Sequence, residues 1–158
     1  MKASFDVAEF LVEHRSSILA KTDAEVIGRR LPHYAAAGSE EITERLAALF
    51  DIVVAAATEN QLDAALAYAD HLAVERQHSG HDLSEVQLAI NALEEQLWHA
   101  VMSEAPVDAQ GFALGMVSTI LGAIKDRLAC AFVSRASGKP VHTLRIDELF
   151  RGTAAGQA

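Results

Sequence analysis

Proline and cysteine are nearly missing: 158 residues hold three prolines and one cysteine, and aromatics make up only 6%. So few prolines leave long stretches in which nothing interrupts a helical hydrogen-bond ladder. The lone Cys130 excludes an internal disulfide and, lying in an apolar stretch, reads as small core filler. No uninterrupted apolar run of 18 residues or more occurs, so long soluble helices are expected in preference to membrane spans. The opening MKASFDVAEF lacks the basic and then apolar layout of a secretory signal, and a cytoplasmic location is expected. Positive charge is scarce as well. With 13 Lys and Arg against 22 Asp and Glu, the net charge is −9, which repels a phosphate backbone and anionic lipid alike. Neither nucleic acid nor a membrane is an expected partner.

What is abundant is apolar surface, 51% of residues, arranged with helical spacing. Phe5, Val7, Phe10, Leu11, Ile18 and Leu19 predict a first helix over Ser4–Lys21, with His14 and Arg15 interrupting its apolar side. Thr22 followed by Glu25 is a capping-box pattern that predicts a short second helix ending before Pro32. Ser39 then caps a helix carrying Ile42, Leu46, Leu49, Val53 and Ala57, with Phe50 and Val54 widening the stripe, so this helix is expected at the centre. Asn60 is expected to cap the next, whose Leu62, Leu66, Ala69, Leu72 and Ala73 face inward. After Pro106, a long helix over Asp108–Ala136 is apolar on most sides and contains Gly111, Gly115 and Gly122. Each glycine costs it about 1 kcal/mol relative to Ala. Ser137–Pro140 reads as a turn, Thr143–Arg151 as an amphipathic segment, and GTAAGQA as a frayed tail. No strand alternation or hairpin signal appears. The expected architecture is an all-α, antiparallel bundle of about six to seven helices, with residues 1–137 forming the domain and 138–158 an extension.

The most sharply marked stretch is Glu75–Trp98, where one helix ends, a turn reverses the chain and another begins. Leu83, Val86, Ile90, Leu93, Leu97 and Val101 repeat at i, i+3, i+4 spacing, and Glu85, Gln87, Asn91, Glu94 and Glu95 form the other face. Asp82 with Glu85 fits a capping box. Arg76, Gly80, Ser84, Glu85, Leu93 and Leu97 together resemble the N-terminal domain of the RsbT co-antagonist proteins, the RsbRD-type sensor domains of bacterial stress signalling. The resemblance implies a sensory or protein-interaction module rather than an enzyme, with a kinase or transcription regulator as its partner. In that family the domain precedes a phosphorylatable one; here Gly138–Ala158 alone follow the last predicted helix, so output through another chain is expected.

The residues themselves offer little chemistry. His78 and His81 flank Gly80 and supply half a metal site at most, since no Glu-x-x-His, His-Glu-x-x-His or Cys cluster adds further ligands. They read as surface turn histidines. His71 lacks the neighbours of a phosphotransfer histidine, having Val74 and Glu75 close by. His71 and His99 are the candidate ligands of an alternative reading, a globin-like sensor holding haem or a small apolar molecule. No cofactor is expected. No nucleophile–base pair or paired carboxylates appear, so an enzyme is not expected either. Arg76 is expected either to pair with Glu85 across the turn or to cap the carbonyls of its own helix. Trp98, off the main stripe with His99 and Met102, is either an exposed interface anchor or a second buried contact. The surplus of apolar surface, with Phe5, Phe10, Leu11 and Ile18 at one end and Phe112, Val117, Ile120 and Leu121 at the other, predicts a homodimer.

Overall fold

The computed structural model describes residues 5–29, 36–81 and 83–141. Among these it has no strand and five helices: α1 (Val7–Gly28), α2 (Ser39–Glu59), α3 (Asp63–His78), α4 (Leu83–Glu104) and α5 (Val107–Ser137). The all-α bundle matches the sequence reading, but five helices are fewer than six or seven. The two expected N-terminal helices are one. Thr22 is buried in the middle of α1, and its hydroxyl donates to the Ile18 carbonyl oxygen at 2.8 Å, so it serves its own helix rather than starting a new one. Glu25 pairs instead with Arg29 at 2.6 Å and receives Gln96 Nε2 of α4 at 3.2 Å. The cap of α1 is Asp6, whose carboxylate accepts from the Glu9 N–H at 3.0 Å. The expected stop at Pro32, the Asp82 cap, the Thr143–Arg151 segment and the tail lie outside the described residues.

Two further caps differ from expectation. Ser39 is the first residue of α2, not its cap; Gly38 precedes it at φ 87° without a side-chain bond, and the Ser39 carbonyl accepts from Thr43 Oγ1 at 3.0 Å. Glu40 and Glu41 in that first turn suit the positive end of the helix dipole. Asn60 ends α2 rather than starting α3. It sits in the left-handed region at φ 51°, which Asn tolerates better than most residues, and the Gln61 N–H returns to the Ala56 carbonyl at 3.4 Å. The types favoured at helix starts and in left-handed turns overlap, which is why the sequence misplaces it.

Side-chain bonds give the register. Arg15 meets Asp51 at 3.2 Å and Thr43 meets Asp23 at 2.8 Å, so α1 and α2 are antiparallel. Arg15 also lies over the Phe50 ring, 5.7 Å from its centroid, which explains a charged residue within the apolar side of α1. Around the bundle α1 packs on α2 and α4, and α5 on α3 and α4, while α2 touches all four others. It is the central helix that its wide stripe predicts. The core matches the periodicity closely: Phe50, Leu93, Leu97, Ile120, Leu121, Ile124 and Leu128 have almost no exposed surface. By length and composition α5 could cross a membrane, yet Met116, Ile120 and Ile124 pack into this core.

The surplus that predicted a homodimer is not where the sequence placed it. Phe10, Leu11, Ile18, Val117, Ile120 and Leu121 are all buried within the chain, and Phe5 and Phe112 pack partly against the same core. The four helices that pack on α2 suffice to bury most of them.

Candidate functional site

The α3–α4 joint is built by its glycine. Gly80 has φ 78°, the His81 N–H bonds the Arg76 carbonyl at 2.9 Å, and the Gly80 N–H bonds the Gln77 carbonyl at 3.2 Å. Those two bonds are a Schellman motif, which uses up carbonyls that the end of α3 would otherwise leave without donors. Folding the chain back this way buries His81, so of the two turn histidines only His78 lies at the surface. Arg76 is buried as well, 3% exposed; its Nη1 donates to Glu75 Oε1 at 2.8 Å, while Nε has no hydrogen-bond partner. Its ion-pair partner is thus the neighbouring Glu75 and not Glu85. Glu85, placed by the sequence on the polar face of α4, is buried beside the core. Among the described residues of the joint, Arg76, His81 and Glu85 are thus buried.

Neither His71 nor His99 is the buried histidine that the haem reading assumes. His71 is exposed on α3, and His99 is 66% exposed on α4 with Glu95 at 3.7 Å. Among the described residues no group of three or more His, Cys, Asp or Glu could hold a metal ion.

The α4–α5 face is different. Trp98 is 47% exposed and Met102, one turn further along α4, is 55% exposed, so Trp98 is not the fully buried contact of the second reading. Its Nε1 donates to Ser118 Oγ on α5 at 3.0 Å, which fixes the indole against α5 with one surface outward. Ser118 falls between Gly115 and Gly122 on the helix surface. With Gly111 these residues repeat at i, i+4, i+7, i+11 along a single stripe. A methyl group added at Gly111 or Gly122 would meet nothing within 4 Å. Among the described residues, packing therefore gives no reason for glycine at these two positions of α5. The face is bordered by Lys125, which bonds Asn91 at 3.0 Å and pairs with Glu94. At the other end Gln110 Nε2 reaches the Ala105 carbonyl at 3.1 Å and that of Met102 at 3.2 Å, tying the end of α4 to the start of α5. Ser118, Glu94 and Lys125 escape a reading of the sequence because the register between two helices is not written in either one.

Compared with family models, curated proteins and solved structures, the chain matches none.

Proposed function

We propose that the chain is a non-catalytic regulatory domain of bacterial signal transduction, of the kind that the Arg76–Leu97 stretch resembles, and that it works by protein–protein contact through the α4–α5 face. The observation that carries this is the exposed pair Trp98 and Met102 beside Gly111 and Gly122, where an added methyl group would meet nothing within 4 Å. Trp is the residue type most enriched among interface anchors, and small residues let a second helix come close. The first partner is a second copy of the chain. A two-fold axis between Gly115 and Ser118 lays Gly111 of one subunit over Gly122 of the other, so the stripe is self-complementary as such an interface requires. Ligand or partner binding then alters how the two subunits pack, and a kinase or transcription regulator reads that change. Light scattering on the native chain and on Trp98→Ala tests this: the native chain is dimeric, and the variant is shifted towards monomer.

A further inference from the structure

A second feature of the surface is unrelated to that face. Between α3 and the C-terminal end of α5 lies an open cleft of about 630 Å³, within the range of small-molecule sites. Its walls come from Val74 on α3, Ala131 on α5 and Val141 beyond the helix. Val74 and Val141 stand half uncovered at the mouth. The turn that forms the third wall is fixed by the protein alone. Gly138 takes φ 68°, the Val141 N–H bonds Ser134 Oγ at 2.9 Å, and the Lys139 N–H bonds Ser137 Oγ at 3.3 Å.

Charge at this cleft runs against the rest of the molecule. Arg127, Arg135 and Lys139 converge on it in a chain whose net charge is −9, and Asp70 is the acid among the lining residues. That acid is already neutralised. Arg127 grips it through Nε at 2.7 Å and Nη2 at 2.8 Å, a bidentate arrangement that holds the guanidinium charged, its hydrogen bond to Asp70 outweighing the effect of burial. Arg135 and Lys139 remain as exposed cations beside an apolar wall. Basic residues near a helix C-terminus commonly serve the helix dipole. That role explains their charge but not a shaped, half-apolar hollow between them and α3.

We propose that this cleft binds a small amphipathic carboxylate, with its hydrocarbon part against Val74, Ala131 and Val141 and its carboxylate on Arg135 and Lys139. The proposal goes beyond the regulatory reading and gives such a domain a chemical input separate from its protein-binding face. Isothermal titration of the full-length chain with octanoate tests it, with octan-1-ol and inorganic phosphate as comparisons. Octanoate is expected to bind once per chain, with octanol and phosphate each about tenfold weaker or worse, because each lacks one half of the match. Arg135→Glu with Lys139→Glu weakens octanoate about tenfold, and Val74→Glu on the opposite wall does the same, with helical content unchanged by circular dichroism. Three results overturn the proposal: no binding at concentrations on the order of millimolar, octanol equal to octanoate, or an unchanged affinity in both variants. A segment of the chain itself filling the cleft would appear as the first of these. The mass in the absence of octanoate is read separately, so loss of this site leaves the dimer question untouched.

Discussion

Trp98 of α4 and Ser118 of α5 are joined by a hydrogen bond of 3.0 Å, and the indole is still 47% exposed. The bond orders a large apolar side chain at the surface without covering it. Trp98→Phe keeps most of the apolar area and loses the bond, whereas Trp98→Ala loses both. Dimer affinity is expected to fall far more in the alanine variant, by about 2 kcal/mol or more if Trp98 is an anchor. Sedimentation equilibrium measures both.

Gly122 provides a test in which two effects have opposite signs. Because a methyl group there meets nothing within 4 Å, Gly122→Ala removes only a helix-propensity penalty and stabilises an isolated subunit by about 1 kcal/mol. If the stripe seats a second helix, the same methyl weakens the dimer. Thermal unfolding at low concentration, set beside the dimerisation constant, separates the two; a variant more stable yet equally dimeric would remove the stripe from the interface.

The core and the corner predict ordinary losses of known size. Leu93 is fully buried in α4, and Leu93→Ala is expected to cost about 2 to 5 kcal/mol in chemical denaturation. Gly80→Ala forces a side chain into the left-handed region at φ 78° and costs about 1 kcal/mol. Asp6→Ala removes the cap on the Glu9 N–H, again for about 1 kcal/mol. By contrast Asp70→Asn, at an ion pair whose partners are roughly 40% exposed, costs no more than about 1 kcal/mol despite its bidentate geometry.

These residues also show how far the sequence was legible. Apolar positions at helical spacing named the core almost without error, because burying an i, i+3, i+4 stripe is decided by composition along one helix. Helix ends fared worse. Asn60 and Ser39 carry side chains suited to more than one terminal position, and Thr22 satisfied itself within its helix, so local chemistry alone left each ambiguous. Gly80 was correctly placed in the turn, but the burial of Arg76, His81 and Glu85 depends on how α4 folds back, which no local pattern states. For Trp98 the sequence leaves an exposed anchor and a second buried contact equally open. Its Ser118 partner, and the cleft between α3 and α5, depend on contacts between residues 20 to 57 positions apart.

Cys130 lines the cleft, and burial, helped by the nearby Asp126, pushes its thiol up from the ordinary range, with Arg127 opposing. Less of it is therefore thiolate at neutral pH than of a free thiol. Alkylation by iodoacetamide is expected to be slow near pH 7 and to accelerate with rising pH over a more alkaline range than for a cysteine peptide. Equal rates for protein and peptide would contradict this.

If the α4–α5 face is an interface between two copies of the chain, the mass in solution reports it. Multi-angle light scattering on the native chain at micromolar concentration should give twice the 16.9 kDa of one subunit, with Trp98→Ala nearer to a single subunit at the same concentration. A native mass that stays at 16.9 kDa as concentration rises contradicts it; so does a dimer that Trp98→Ala and Gly122→Ala both leave intact.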